Sequence, residues 1–381
     1  MQFILDKLKG DRYIWSIAIL LLFFSLLAVY SASSSMAFNK ANGNTEYFLF
    51  RQFVLVAVSF VLMFVAHRIN YNYYARISLV LLWIAIPLLA ITLFLGANIN
   101  DASRWLRIPI LGVSFQTSDL AKLAIIMYTA SMLSKFQHSI KNFEQAFLPI
   151  LIPILLVFFL IVPANLSTAL LVFTTCWLLM FVGRIPIKYL INALLYGCVV
   201  FSIYLIFTTF TGHKGRTETW KQRIEQYVNG TEKEESWQVK QAKVAIAKGG
   251  LIGVMPGNSE QRNFLPNPYS DYIYAIIVEE YGFLGGLMLI TAYLILLYRS
   301  IRIFAKSPGA FGALLAFGLS LSIVIQALLN IAITLDLVPA TGLVLPLVSM
   351  GGTSLLFTSL AIGIILSVSR HIEQNMQAQS H

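Results

Sequence analysis

Residues 13–32, YIWSIAILLLFFSLLAVYSA, decide the fold, because they form a run of 20 residues without a charged side chain. A helix needs about 20 mostly apolar residues to cross the hydrocarbon core of a bilayer. The 381-residue chain has the same character throughout, with 58% hydrophobic and only 12% charged residues. A soluble domain usually carries about 25% charged residues. The sequence therefore predicts an all-α polytopic membrane protein and excludes a soluble globular fold.

Ten apolar runs are predicted to be transmembrane helices. They cover residues 13–32, 47–67, 74–95, 118–135, 147–163, 166–183, 188–210, 271–297, 309–334 and 346–369. The first is expected to be an uncleaved span, because a signal peptide has a shorter apolar core. Small residues at 31–33 leave a cleaved signal open as the alternative. The closely spaced pair 147–163 and 166–183 leaves a re-entrant hairpin open.

The basic residues predict the orientation, because short cytoplasmic loops are enriched in Lys and Arg. With the N-terminus inside, thirteen basic residues fall in cytoplasmic segments and five in the short external segments and their edges. Both termini are therefore predicted to be cytoplasmic, with a large external loop at 211–270 between spans seven and eight. The whole chain, 1–381, is predicted to be one membrane domain. Much of its net charge of +10 reflects this topology, so no nucleic-acid partner is expected.

The first external polar cluster lies between spans three and four. Thr117 or Ser118 is predicted to cap span four, and Asp119 and Lys122 are neighbours on one helix face. One interpretation is an interfacial anchor, with Trp105 in the aromatic belt. The other is a site for a phosphate-bearing lipid, because Arg binds phosphate through a bidentate fork and Lys as a point charge. The candidate binding residues are Arg104, Trp105, Gln116, Ser118, Asp119 and Lys122.

The long external loop is predicted to contain a short amphipathic helix at 237–246 that ends before Gly249. Such a helix can lie on the membrane surface. Residues 253–259 predict a flexible stretch, since they include two glycines and a proline. Arg223 and Lys240 are the loop cations that we single out as candidates for binding phosphate.

Asp271 follows this loop directly and precedes an apolar helix, which is an ordinary N-cap position. A carboxylate there also lies at the membrane–water boundary, where a lipid-linked substrate presents its headgroup. The helix N-terminus favours its ionised form, which suits a general base. Both interpretations, helix cap and base, are compatible.

Glu279 and Glu280 lie further along the same predicted helix. Intramembrane carboxylates are costly and are functional candidates by default. At least one of the two is expected to face a polar cavity or a cation, for which Lys122 is a candidate.

The segment 337–354 is rich in Gly and Pro and precedes the last apolar run. Broken backbone at membrane depth is tolerated where it is buried in protein or lines a cavity. Close helix packing through small residues is the alternative. The candidate binding residues here are Ser349, Gly351, Gly352, Thr353 and Ser354.

Taken in order, these clusters resemble the SEDS family (shape, elongation, division and sporulation), which includes FtsW and RodA. The resemblance covers essentially the whole chain. Its elements are Arg104-Trp105, Phe115-Gln116-x-Ser118-Asp119-Leu120-Ala121-Lys122, Gly257-Asn258-Ser259, Leu265-Pro266 with Asp271-Tyr272-Ile273-Tyr274-Ala275, Glu279-Glu280-Tyr281-Gly282, Pro339-x-Thr341-Gly342 and Ser349-x-Gly351-Gly352-Thr353-Ser354.

The resemblance implies a ten-span peptidoglycan glycosyltransferase in the bacterial inner membrane that polymerises lipid II on the periplasmic side. It implies a class B penicillin-binding protein transpeptidase as partner, together with other proteins of the division machinery. Asp271 matches the family's essential aspartate, and Trp105, Asp119, Lys122 and Glu280 match other functional positions. Residues 29–33, Val-Tyr-Ser-Ala-Ser, resemble the division type, FtsW, more than RodA.

Three positions depart from the family pattern. Asp119 stands where a Glu is usual, which keeps the charge but shortens the side chain by one methylene. The turn Pro163-Ala164-Asn165 lacks the usual Asp, which puts a role of that carboxylate in doubt. Met350 replaces a common aromatic residue.

The mechanism that we expect is an inverting glycosyl transfer with Asp271 as general base. Leaving-group charge would fall to Arg104, Lys122, Arg223 or Lys240, or to a divalent cation such as Mg²⁺ or Mn²⁺. Two other functions stay open. One is a lipid II flippase, which a membrane cavity and broken helices would also serve, and the other is a non-catalytic scaffold of the division machinery.

Overall fold

The structure is a computed structural model that describes residues 9–40, 45–95, 97–99, 102–108, 113–210, 234–339 and 341–379. Its α-helices are α1 Arg12–Lys40, α2 Thr45–Arg68, α3 Tyr71–Leu95, α4 Thr117–Lys135, α5 Leu148–Ile161, α6 Leu166–Val182, α7 Ile187–Phe210, α8 Glu234–Gly249, α9 Ile273–Lys306, α10 Ala310–Thr334 and α11 Thr353–Gln379. A π-helical turn, Phe143–Phe147, leads into α5. Each predicted span overlaps one of these helices, and α8 lies in the long loop.

The predicted all-α membrane fold is confirmed. Seven helices of the described residues are long and apolar enough to cross a membrane, namely α1, α2, α3, α5 with its π-helical turn, α9, α10 and α11. Two more, α6 and α7, contain shorter apolar helices. The remaining predicted span corresponds to α4, which is 19 residues long but less apolar. The exact count of ten crossings stays a prediction.

Two predicted spans begin at least two residues later in the structure than the hydropathy pattern indicates. The last helix, α11, begins at Thr353 and not at residue 346, because residues 346–352 form turns. The Ser349 hydroxyl accepts a hydrogen bond from the Leu345 backbone N–H at 2.8 Å. The side chain thus gives this N–H group the acceptor that a backbone carbonyl would provide in a helix. The helix after the long loop, α9, begins at Ile273 and not at residue 271.

A small antiparallel sheet, which the sequence analysis did not predict, lies between α3 and α4. Its strands are β1 Ala97–Ile99, β2 Ala102–Ile108 and β3 Val113–Gln116, in the order β1-β2-β3. β2 and β3 pair so that Trp105 stands opposite Gln116. The ladder therefore brings the two halves of the first polar cluster together immediately before α4.

The chain divides into two compact units. The first consists of Met1–Arg68, Arg223–Ser300 and Ile323–Glu373, and the second of Ile69–Gln222, Ile301–Ser322 and Gln374–His381. In the first unit α1 packs on α2; in the second α4 packs on α3, α5 and α6, and α7 packs on α6. The predicted single domain at 1–381 stays a prediction.

Candidate functional site

Asp271 lies in a turn at the entrance to α9. Because the helix begins at Ile273, Asp271 stands one residue before the N-cap position, and the predicted cap is displaced by that residue. The Ser270 hydroxyl lies 2.9 Å from the Asp271 carboxylate oxygen Oδ1 and donates to it. This hydrogen bond helps to orient one oxygen of the candidate general base.

The segment that follows α10 donates hydrogen bonds to the backbone of this turn. The Ser349 hydroxyl donates to the backbone carbonyl of Ser270 at 2.7 Å, and the Met350 N–H donates to the carbonyl of Tyr269 at 3.0 Å. Ser349 was predicted to bind substrate. The structure gives it these bonds to the backbone of the turn, and substrate contact stays a prediction.

Tyr269 is the titratable neighbour of Asp271. Burial raises the pKa of its phenol, and the negative charge of Asp271 raises it further, while Arg51 lowers it. Its hydroxyl lies 3.3 Å from the side-chain oxygen of Asn267. The phenol is therefore a neutral hydrogen-bond donor at neutral pH and does not compete with Asp271 as a base.

Helix α9 is broken at Gly282, where the backbone has φ 69° and ψ −171°. The segment 250–255, which follows α8, fills the break. The N–H groups of Val254 and Met255 donate to the carbonyls of Glu279 and Glu280 at 2.9 and 3.1 Å, and the Phe283 N–H donates to the carbonyl of Gly250 at 2.8 Å. The loop thus replaces hydrogen bonds that the helix loses. The segment predicted to be flexible is in this part tied to α9.

The Glu279 carboxylate is fully buried and serves as an anchor for the loop. It accepts hydrogen bonds from the Ser259 hydroxyl and from the backbone N–H groups of Glu260, at 3.1 Å, and Gln261, at 3.3 and 3.4 Å. These donors open the 3₁₀ turn Gln261–Asn263. An anionic acceptor at the start of a helical turn forms strong, charge-assisted bonds.

The Glu280 carboxylate is 2% exposed and binds a different set of partners. It accepts from the Ser31 hydroxyl, to which the Arg262 guanidinium also donates at 3.3 Å. Arg262 in turn donates to the Ser31 carbonyl at 3.3 Å. The Arg262 guanidinium is thus a cation near this carboxylate, and the pairing with Lys122 stays a prediction. A substrate role for Glu280 stays a prediction.

The sequence analysis does not select Ser31, Ser259 or Arg262 as site residues. A buried carboxylate requires donors and a cation. That requirement indicates that polar residues elsewhere in the chain contact Glu279 and Glu280. The sequence pattern does not show which residues these are.

In the second unit, Asp119 and Lys122 form the expected i, i+3 pair at the start of α4. The Lys122 ammonium lies 3.6 Å from Asp119 Oδ1, with the two side chains 13% and 6% exposed. The predicted cap is wrong, because α4 begins at Thr117 with Gln116 as N-cap residue. The Gln116 amide instead donates to the Ser118 hydroxyl at 3.0 Å. Asn165 caps α6, accepting from the Thr168 N–H at 3.3 Å.

Helix α8 confirms the predicted loop helix and ends before Gly250, whose φ of 54° is typical of a helix C-terminus. The helix contacts the turn Gln261–Asn263. Ala242 and Ala245 are fully buried, whereas Val239 and Ile246 of the predicted apolar face are partly exposed, and a position on the membrane surface stays a prediction. Lys240 is exposed, as a phosphate-binding cation would be, and Arg223 lies outside the described residues.

The remaining predicted binding residues are placed as follows. Arg104 and Trp105 lie on β2. Gly351 and Gly352 precede α11, with Gly352 at φ 56°, and Thr353 and Ser354 are buried in its first turn. Within the part of the chain that the structure describes, no group of three or more His, Cys, Asp or Glu side chains could hold a metal ion.

Similar proteins were found among curated sequences. The probable peptidoglycan glycosyltransferase FtsW of Geobacter metallireducens is 33% identical over 383 residues, covering 98% of this chain and 99% of the relative. Stage V sporulation protein E of Bacillus subtilis is 32% identical over 371 residues, with coverage of 96% and 98%. The probable FtsW of Trichlorobacter lovleyi is 31% identical, with coverage of 91% and 89%.

Solved structures share the fold. A chain from a peptidoglycan synthase complex aligns with a TM-score of 0.74 and 24% identity, covering 96% of this chain and 99% of that one. The rod shape determining protein RodA of Thermus thermophilus aligns with a TM-score of 0.67 and 21% identity, with coverage of 95% and 97%. The family model for cell cycle proteins of the FtsW, RodA and SpoVE type matches residues 11–374. This chain therefore belongs to the family of FtsW, RodA and SpoVE, as its ordered motifs predicted.

Proposed function

We propose that this chain is a peptidoglycan glycosyltransferase that polymerises lipid II during bacterial cell division, with Asp271 as general base. The observation that carries the proposal is the position of Asp271 in a turn directly before α9. The backbone carbonyls of this turn accept hydrogen bonds from the segment that follows α10. The names of the FtsW relatives support the activity and the division role. We place the protein in the inner membrane with Asp271 on the periplasmic face, in line with the basic cytoplasmic segments.

The proposed reaction inverts the anomeric centre of the donor sugar. Asp271 takes the proton of the acceptor hydroxyl as its oxygen forms the bond to the anomeric carbon. The bond from that carbon to the pyrophosphate oxygen breaks, and the lipid pyrophosphate leaves with its electron pair. Preorganised cations stabilise the leaving charge. Lys122, Arg104, Arg223 and Lys240 are the proposed donors.

A divalent cation, Mg²⁺ or Mn²⁺, is also part of the proposal. Mg²⁺ is commonly held by one or two carboxylates together with substrate phosphates, and not by a dedicated protein cage. Such an ion would neutralise pyrophosphate charge, and chelation by EDTA is expected to lower polymerisation and added Mg²⁺ or Mn²⁺ to restore it.

The proposed partner is a class B penicillin-binding protein, which would crosslink the strands, together with other division proteins. A neighbour in fold comes from a peptidoglycan synthase complex of polymerisation and crosslinking, which supports this pairing. Co-purification of the chain with its cognate transpeptidase tests the partner separately from the chemistry.

The deciding experiment is lipid II polymerisation by the purified chain in detergent, with and without the transpeptidase. We expect Asp271→Ala and Asp271→Asn to abolish glycan synthesis while both variants still melt and bind the partner like the wild type. An Asp271→Asn protein with normal polymerisation contradicts the assignment of the base.

The alternative is a lipid II flippase. The break in α9 at Gly282 favours it, because discontinuous helices are typical of transporters. The detergent assay separates the two functions, since transport has no meaning without a membrane. A chain that moves labelled lipid II across vesicles but makes no polymer in detergent would favour the flippase. A non-catalytic scaffold predicts that Asp271→Ala leaves cell division intact.

A further inference from the structure

We propose that Asn330 is a positioning residue that holds the backbone of Asp271 and thereby fixes its carboxylate for proton transfer. The proposal rests on the proposed function of Asp271 as a base. It gives a chemical role to a polar side chain inside α10 that the sequence motifs had not selected.

The starting observation is that three consecutive carbonyls, those of Tyr269, Ser270 and Asp271, each accept a hydrogen bond from elsewhere in the first unit. The Met350 N–H binds the first at 3.0 Å and the Ser349 hydroxyl the second at 2.7 Å. The Asn330 side-chain amide binds the third at 2.9 Å. A turn with every one of these carbonyls bound has little freedom to rotate its peptide planes, so the direction of the Asp271 side chain is set by its anchors.

Asn330 lies at the centre of this arrangement. It is 1% exposed, and its Nδ2 also donates to the Leu343 carbonyl at 2.6 Å. Because both neighbours are carbonyl oxygens, the amide nitrogen must face them, and a flipped amide would place three acceptors together. The amide therefore ties Asp271 directly to the segment after α10.

The other atom of the amide argues for a role beyond stability. Asn330 Oδ1 is buried and has no hydrogen-bond partner among the described residues. A buried acceptor left unpaired is unfavourable, and a polar residue within a membrane helix is costly in itself. A Leu or Met would fill such a position in a span without that cost. What the amide supplies in return is the pair of donors that fix Asp271 against Leu343.

Fixing a base matters for catalysis more than for binding. A displacement of about 1 Å from the productive geometry can lower a rate by about 100-fold. The loss appears in kcat, since the substrate is still bound by other residues while the base is misplaced. A purely structural Asn330 would instead lower the melting temperature and leave kcat per active enzyme at the wild-type value.

The same helix offers a matched control in Gln326, one turn earlier. It is 4% exposed, and its Nε2 donates to the Val344 carbonyl at 2.9 Å. Both amides anchor the same segment, at neighbouring carbonyls, and Asn330 adds the bond to the Asp271 carbonyl. Replacing each by an apolar residue of similar size, Asn330→Leu and Gln326→Met, removes equivalent bonds to the segment.

The experiment measures kcat and KM for lipid II polymerisation by the full-length variants, together with the apparent melting temperature of each. We expect Asn330→Leu to lower kcat by about 10- to 100-fold with KM within about twofold of the wild type. Gln326→Met is expected to keep kcat within about threefold at a similar loss of melting temperature. Equal losses of kcat in the two variants, or a raised KM with unchanged kcat for Asn330→Leu, would overturn the proposal.

A second variant covers the case in which Asn330→Leu does not fold. Ser349→Ala removes the bond to the carbonyl of Ser270, the neighbouring anchor, and the same selective loss of kcat is expected. A Ser349→Ala protein with wild-type kcat overturns the proposal. The base itself is tested separately. If Asp271→Asn is inactive but the Asn330 and Ser349 variants are fully active, the positioning proposal is wrong and the assignment of Asp271 as base stands. An active Asp271→Asn protein instead refutes the assignment of the base.

Discussion

Replacing Gly253 by alanine should break the contact between α9 and the loop that precedes it. Gly253 has φ 91°, and a Cβ atom built on it would lie 2.6 Å from the Gly282 nitrogen and closer still to the Glu280 carbonyl oxygen. Both obstacles are backbone atoms, which cannot move aside as a side chain can. The loop must therefore withdraw from the break in α9.

The expected cost has three sources. A side chain at positive φ costs about 1–2 kcal/mol. Overpacking against rigid neighbours adds about 1–3 kcal/mol. Withdrawal of the loop weakens the two bonds from Val254 and Met255 to α9, each worth about 1 kcal/mol. The total is about 5 kcal/mol, which is a large fraction of a typical free energy of unfolding.

Gly257 provides the control, because it lies in the same loop with a similar φ of 84° and a Cβ there meets nothing within 4 Å. Gly257→Ala should cost only the strain of positive φ, about 1–2 kcal/mol. The assay is the apparent melting temperature in detergent, compared at one heating rate since unfolding of such proteins is commonly irreversible. Equal losses in Gly253→Ala and Gly257→Ala would refute the reasoning, because backbone strain alone would then explain both.

Three further predictions concern charged and titratable groups. Lys122→Met should destabilise the protein by about 3 kcal/mol, because it removes the nearby cation from the buried Asp119 carboxylate, and the added Asp119→Asn change should recover part of the loss in melting temperature. Burial raises the pKa of Tyr269 above its ordinary value of 10.0, so the stability that the neutral phenol contributes is complete below pH 10 and declines as the pH rises further. Between pH 8 and 11 the melting temperature of Tyr269→Phe should therefore fall less steeply than that of the wild type. Lys243→Gln should lower stability by less than about 1 kcal/mol, since the ion pair of Lys243 with Asp336 is 52% and 31% exposed and screened by solvent; a larger shift in melting temperature would contradict this estimate.

The sequence predicts the membrane helices well because the bilayer imposes a length on them. A span needs about 20 apolar residues whatever it packs against. The bounds of α2 and α10 accordingly lie within two residues of the predicted spans 47–67 and 309–334. The predicted start of α11 is wrong because residues 346–352 are apolar enough to extend the predicted span, whereas the Ser349 hydroxyl among them hydrogen-bonds to backbone groups in a turn. Hydropathy does not measure such bonds.

The break in α9 could not be predicted in the same way. A glycine in an apolar helix is more often a packing position than a break. At Gly282 the choice depends on a segment about 30 residues earlier, whose carbonyls and N–H groups replace the lost helical bonds. Asn330, by contrast, was accessible to sequence reasoning, because an amide inside an apolar run of α10 already indicates a buried polar contact.

The break also explains how two adjacent carboxylates are accommodated in a membrane helix. In an unbroken helix, side chains one residue apart point about 100° away from each other, so a single cavity would not serve both. Here the helix is broken at Gly282, two residues after Glu280, and the two carboxylates have different partners. Glu279 accepts from Ser259, Glu260 and Gln261 of the loop, while Glu280 accepts from Ser31 of α1. Each charge is thus bound within protein and not exposed to lipid, and the loop that leads to Asp271 is anchored on the same helix that Asp271 precedes. Loss of the Glu279 carboxylate should therefore disturb the position of Asp271 through the loop before it disturbs the helix.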